Sequence, residues 1–142
     1  METAPILYVE DDKNDVLFME LACKTAGLLY PLQIVWNGQE ALDYLAGSGK
    51  YSDREAFPMP RLVLLDLNLP LKSGFEVLEW IRERPFLEAL PVVIFSSSAQ
   101  INDVERARAQ GASEYVEKLS NPLQLSTVLK RLNAKWLVPH PA

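Results

Sequence analysis

Four apolar residues in an unbroken run, Leu62-Val63-Leu64-Leu65, stop abruptly at a carboxylate, Asp66. A strand with no polar alternation must have both faces covered, as in the centre of a parallel sheet sandwiched between helices. Other short apolar runs, Ile6-Leu7-Tyr8-Val9, Leu32-Gln33-Ile34-Val35 and Val92 to Phe95, alternate with stretches of helical periodicity. That alternation is the pattern of βα units feeding one parallel sheet.

Punctuation between the runs supplies the rest. Asp12 or Asn14 can cap a first helix running to about Gly27, whose glycine is a C-terminal stop. A second helix is predicted from Gln39 to about Ala46, and the Gly-, Ser- and Pro-rich stretch from Gly47 to Pro60 as an exposed loop. Phe75 to Arg84 reads as a third helix and Ile101 to about Gln110 as a fourth, stopped by Gly111. Tyr115-Val116 reads as a short fifth strand. Pro122 opens a last helix that sets Leu125, Val128, Leu129, Leu132 and Trp136 on one face. The expectation is an α/β fold, a doubly wound parallel sheet of five strands with five helices.

A chain of 142 residues with 49% hydrophobic residues is of ordinary size for one domain, here with a core at about 6–136 and a tail at 137–142. The net charge of −5 offers no basic stripe for neutralising phosphates, which argues against nucleic-acid binding. One cysteine, Cys23, excludes an intrachain disulfide framework and reads as a small buried or half-buried hydrophobe. Met1-Glu2-Thr3 lacks a positive leader region, and no apolar stretch approaches the roughly 20 residues of a membrane span. A cytoplasmic protein with no membrane partner is expected.

In a doubly wound sheet, functional groups collect beyond the carboxyl ends of the strands. Those positions are Glu10-Asp11-Asp12, Asp66-Leu67-Asn68, Ser96-Ser97-Ser98 and Glu117-Lys118. Crowded carboxylates resist ionising together unless a cation offsets their repulsion, and a hard, oxygen-seeking ion such as Mg²⁺ suits the set Asp11 and Asp66, with Glu10 near or through water. Asp12 and Asn14 fit helix capping better than chemistry, and Ser97 and Ser98 fit loop or capping roles. Asp66 is different, because a charge at the mouth of a buried strand is costly without a partner. Lys118, following a short strand among acidic strand ends, favours a buried ion pair over a solvated surface position.

Taken together, Val9-Glu10-Asp11-Asp12, Leu64-Leu65-Asp66-Leu67-Asn68-Leu69-Pro70 with Ser73-Gly74, Pro91 to Ser96, and Gly111 to Lys118 resemble the receiver domain of two-component response regulators, from about Ile6 to Trp136. The resemblance implies a flavodoxin-like receiver fold with strand order 2-1-3-4-5. It makes Asp66 the phosphoacceptor, Glu10 and Asp11 the metal-binding acidic pair, and Asn68 the donor of a backbone carbonyl to Mg²⁺. Ser96 takes the hydroxyl position beside the phosphoryl oxygens, Lys118 the cation position and Tyr115 the aromatic switch position. A carboxylate attacking phosphorus needs charge neutralised on the equatorial oxygens, which Mg²⁺, Lys118 and Ser96 would provide.

The long loop from Gly47 to Pro60, the serine run from Ser96 and a terminal helix ending in Trp136 narrow the resemblance to small stand-alone receivers that work with phytochrome-type photoreceptor kinases. A sensor histidine kinase is thus the implied partner, with self-directed phosphotransfer and autodephosphorylation as the only chemistry. One position departs from the family. Receivers ordinarily follow the lysine with a cis proline, whereas Leu119 follows Lys118, and a cis bond to a non-proline costs roughly 2.5–4 kcal/mol. A trans bond and a rearranged loop are expected.

Competing functions remain on the same residues. A Mg²⁺-dependent aspartyl-phosphate hydrolase needs a carboxylate two positions after the nucleophile, where this chain has Asn68. A phosphohistidine carrier has only His140, set between two prolines. A flavodoxin-like electron carrier is disfavoured by the anionic loop after strand one. A phosphorylation-independent pseudo-receiver that only binds partners stays open. A homodimer is expected through the fourth and fifth helices or the carboxyl-terminal segment, with Trp136, Leu137 and Val138 as apolar contacts.

Overall fold

In the computed structural model, which describes residues 4–98, 100–118 and 121–137, five strands run parallel. They are β1 (Ile6–Val9), β2 (Leu32–Val35), β3 (Leu62–Leu65), β4 (Val92–Ser96) and β5 (Glu114–Glu117), in the order β2-β1-β3-β4-β5. Every residue of β1, β3 and β4 is buried, while the edge strands β2 and β5 are only partly so. The uninterrupted apolar runs thus mark the strands covered on both faces.

Side chains alternate between two cores, as the two-residue period of a strand requires. Ile6, Tyr8, Leu62, Leu64, Val93 and Phe95 pack against helices α1 (Lys13–Ala26) and α5 (Pro122–Leu132). Leu7, Val9, Val63, Leu65, Val92 and Ile94 pack on the other face against α2 (Gly38–Ala46), α3 (Gly74–Arg82) and α4 (Ile101–Ala109). Cys23 is partly buried against the first of these cores. No described helix is long and apolar enough to cross a membrane.

The helix signals act as their chemistry dictates. The Asp12 carboxylate accepts from the backbone N–H groups of Asn14 and Asp15, and Gly27 closes α1 in the left-handed region at φ 72°. Ser73 and Glu76 form a reciprocal capping box on α3.

Several boundaries and two burial expectations need correction. Helix α3 begins at Gly74 and ends at Arg82 rather than spanning Phe75 to Arg84, because Pro85 forces Arg84 into extended backbone. Pairing with β4 lengthens the fifth strand to Glu114–Glu117, and Ser96 is the last residue of β4, not the first after it. The stretch from Gly47 to Pro60 is not simply an exposed loop. Tyr51, in a 3₁₀ turn at Gly49–Tyr51, is buried, packs tilted against Tyr44 and edge-on against Phe57, and donates its hydroxyl to Glu40 at 2.7 Å.

Leu137 is likewise not left for a partner to cover. A π turn at Asn133–Leu137 extends α5 and carries Leu137 into the α1/α5 core, where it is 4% exposed. Trp136 donates its indole N–H to Glu114 at 3.2 Å and packs on the same core. The apolar reason for a dimer through Leu137 is therefore removed. Val138 and the rest of the tail, including His140, lie outside the described residues, as do Met1-Glu2-Thr3 and the Lys118–Leu119 bond.

Register carries the fold to the site. Val9 pairs with Leu65, so Glu10 and Asp66 leave the sheet side by side, and Ser96 pairs with Glu117, directly before Lys118. Gly74 makes the approach of α3 possible: a Cβ there would lie 2.2 Å from the Asp66 carbonyl oxygen. The Gly74→Ala substitution is predicted to destabilise the protein by about 2 kcal/mol or more in urea unfolding, because the added methyl must push α3 off the end of β3. A change within a few tenths would mean that the contact relaxes freely.

Candidate functional site

Three strand ends and the first turn of α1 converge on one ammonium. Lys118 Nζ lies 2.7 Å from Glu10 Oε1, 2.8 Å from Asp15 Oδ2 and 3.1 Å from Asp66 Oδ2. Its backbone is fixed by a 2.7 Å hydrogen bond from the Lys118 N–H to the Ser96 carbonyl, which continues the β4–β5 pairing one residue beyond the strand. A half-buried charge of this kind is stabilised when paired and hydrogen-bonded, and here every proton of the ammonium has a carboxylate oxygen within reach.

Glu10 and Asp66 are almost fully enclosed, whereas Asp11 is exposed. The Glu10 carboxylate also accepts from the Tyr8 hydroxyl at 3.1 Å and from the Asp12 N–H at 3.2 Å. Asp66 Oδ1 accepts from the Asn68 N–H at 3.2 Å, which turns the chain sharply after β3. Asp12 faces its helix as a cap, as its sequence position suggested, and Asp11 faces the site. Carboxylate oxygens of Glu10, Asp11 and Asp66 all lie within 4.8 Å of one another.

Charge in this cluster does not balance. Glu10, Asp15 and Asp66 share the ammonium of Lys118, and Asp11 adds a fourth carboxylate beside Glu10 and Asp66. Burial pushes the Glu10 carboxyl up to about 7, with the Lys118 hydrogen bond working against the rise and the charge of Asp66 adding to it. Burial also opposes the charged form of Lys118, but the hydrogen bonds it donates to Asp15 and Glu10 and the charge of Asp66 hold it above its ordinary value. Burial, with the Glu10 charge and hydrogen bond, keeps the Tyr8 hydroxyl protonated and donating. Oxygen ligands in negative excess fit a hard divalent cation, whose charge would let Glu10 ionise beside Asp66.

Ser96 and Tyr115 sit on the adjoining strands. Ser96 is fully buried and its hydroxyl oxygen accepts from the Ser98 N–H at 3.1 Å. Tyr115 donates its hydroxyl to the Ser98 carbonyl at 2.8 Å, so its ring is turned inward over the β4–α4 connection. Ser97 is exposed, and Ser98 bonds Asp103 at 2.7 Å and accepts from the Gln100 N–H, the local capping role expected of it.

The structure thus brings together Glu10, Asp11, Asp66 and Lys118, with Ser96 and Tyr115 linked to them through the strand ends. Two further residues escaped sequence reasoning. Asp15 was hidden because an acid in the first turn of a helix ordinarily just complements the dipole; the signal available was its spacing of four from Asp11. Tyr8 was hidden in an apolar strand.

The raised Glu10 carboxyl has a consequence for stability. Its folded value of about 7 lies above the ordinary 4.5, so without divalent cation the stabilising contribution is full below about pH 4.5 and is lost as pH rises through about 7. The Glu10→Gln variant, which imitates the protonated form, is predicted to gain in melting temperature relative to wild type between about pH 5 and about pH 8 in chelator. Excess divalent cation should cancel the gain. A difference that does not vary with pH would contradict this assignment.

Residues 6–130 match the response regulator receiver domain family. The response regulator Rcp1 of Synechocystis sp. is 36% identical over 132 residues, 93% of this chain and 88% of Rcp1. Among solved structures, the phosphorylated cyanobacterial phytochrome response regulator RcpA has a TM-score of 0.86 at 33% identity, with 99% of each chain covered. The Mn²⁺-bound form of Rcp1 has a TM-score of 0.83 at 35% identity, with 98% of this chain and 99% of that one covered. The sheet order, the acidic cluster and these likenesses agree: the chain belongs to the receiver domain family of response regulators, with phytochrome response regulators among its relatives.

Proposed function

We propose that this chain is a stand-alone response regulator that accepts a phosphoryl group on Asp66 from a sensor histidine kinase of the phytochrome type. The observation that carries the reading is the state of Asp66: a buried carboxylate held at 3.1 Å by Lys118 and lying within 4.8 Å of the Glu10 and Asp11 oxygens. A nucleophile so placed lacks nothing but a second cation. The relatives support the partner and the setting, since RcpA is a phosphorylated phytochrome response regulator and both it and Rcp1 are matched over most of their length. A cytoplasmic location and a single domain across residues 1–142 belong to the same proposal.

In this reading an Asp66 oxygen attacks phosphorus, the bond from phosphorus to the kinase imidazole breaks, and the imidazole departs with its electron pair. Mg²⁺ held by Glu10, Asp11, Asp66 and the Asn68 backbone carbonyl would neutralise charge on the transferring group. Lys118 supplies the cation on the protein side, and the Ser96 hydroxyl leaves the Ser98 N–H to bond a phosphoryl oxygen. Loss of that bond frees the connection that Tyr115 grips, which passes the change to α4 and β5. The chain then hydrolyses only its own acyl phosphate. It carries Asn68, not a carboxylate, two positions after Asp66, which disfavours a phosphatase acting on other molecules.

A signalling homodimer through α4, β5 and α5 is the output we assign. Its support is the exposure of Ile101 and Leu123 at the first turns of α4 and α5.

With a phytochrome-type kinase, ATP and Mg²⁺, wild type is expected to take up phosphate and Asp66→Asn to remain at the level seen without kinase while keeping a cooperative melting transition. Omitting Mg²⁺ should have the same effect as the substitution. Labelling of Asp66→Asn as efficient as wild type would overturn the assignment, and a wild type inert to every donor would favour the pseudo-receiver.

A further inference from the structure

Asp15 has no place in the proposed metal set, yet its carboxylate lies closer to Lys118 than that of Asp66. An ammonium has three protons to donate, and Glu10, Asp15 and Asp66 supply an acceptor for each, at 2.7, 2.8 and 3.1 Å. When a phosphoryl group with two negative charges arrives on Asp66, that ammonium is oversubscribed. Shifting only the donor aimed at Asp66 gives the newcomer one hydrogen bond and leaves the charge still shared with Asp15.

The three acceptors differ in what their release would cost. Glu10 is 1% exposed and fixed by Tyr8 and the Asp12 N–H, and Asp66 itself carries the incoming group. The Asp15 side chain is 40% exposed and can return to water. Beside it lies a half-open cavity of about 30 Å³ whose lining includes Tyr8, Asp15 and Lys118, room enough for water to reach the Asp15 carboxylate in place of the ammonium.

We infer that Asp15 is a positioning residue that restrains Lys118 in the unphosphorylated protein and is the acceptor Lys118 gives up when Asp66 is modified. The inference rests on Asp66 being the phosphoacceptor. Asp15 then sets how readily the site accepts a phosphoryl group without touching that group itself, and it lowers the occupancy of the modified state by holding back the cation that neutralises it.

Binding of beryllofluoride with Mg²⁺, read by ¹⁹F NMR on the full chain, tests this without any turnover. Asp15→Asn is expected to tighten binding about fivefold, by freeing Lys118 and removing a nearby anion. Asp15→Glu, which restores the carboxylate, should return towards wild type. Asp12→Asn serves as a control, since it removes a charge from the adjoining turn, keeps a capping side chain and does not contact Lys118. It should change binding less than twofold, by our order-of-magnitude expectation for a screened surface charge. In a Lys118→Met background the Asp15→Asn gain should shrink to that of the control.

Unchanged or weaker binding by a folded Asp15→Asn protein overturns the inference, as does a gain that survives intact without Lys118. Either result leaves the phosphoacceptor reading standing. Failure of wild type to bind beryllofluoride at all would defeat both.

Discussion

One ammonium shared among three carboxylates governs this molecule. Lys118 can occupy that position only because β5 pairs with β4 through Ser96 and Glu117, and Glu10 and Asp66 can flank it only because Val9 and Leu65 lie opposite each other. A one-residue slip in either pairing would send these side chains to the other face of the sheet. The two apolar cores and the close seat of α3 against Asp66 at Gly74 are what hold that register. The stability of the sheet and the electrostatics of its edge are therefore one problem, in which apolar burial offsets the cost of gathering like charges.

Excess negative charge gives the site its chemical direction. Burial raises the Glu10 carboxyl, and the neighbouring charge of Asp66 adds to the rise while the Lys118 hydrogen bond opposes it. A divalent cation relieves the excess, and a transferred phosphoryl group then finds opposite charge waiting instead of repulsion. The path outward is equally local. Ser96 bonds Ser98, Ser98 bonds both Tyr115 and Asp103 of α4, so a change at one buried hydroxyl reaches a helix and an edge strand within two hydrogen bonds.

Much of this was legible in the order of residues because strand ends are where period-two burial gives way to polarity. The run at β3 announces Asp66, the run at β1 announces Glu10 and Asp11, and the serine that ends β4 and the lysine after β5 complete the set. Resemblance to receivers then added roles that spacing alone could not. What stayed hidden depends on tertiary geometry. Asp15 looks like an ordinary first-turn acid until α1 is packed beside β5, and Tyr8 looks apolar until its hydroxyl meets Glu10. The burial of Tyr51 and Leu137 does not show in the sequence because neither belongs to a periodic pattern; an aromatic cluster buries one and a π turn buries the other.

The central claim is that Asp66 is the residue that receives the phosphoryl group, and that it does so with a divalent cation. Borohydride reduction of phosphodonor-treated wild-type protein converts an aspartyl phosphate to homoserine, which peptide mass spectrometry then locates. The account predicts homoserine at position 66, formed with Mg²⁺ and absent in chelator. Reduction at Asp11, Asp12 or Asp15 instead, or homoserine formed equally well in chelator, would contradict it.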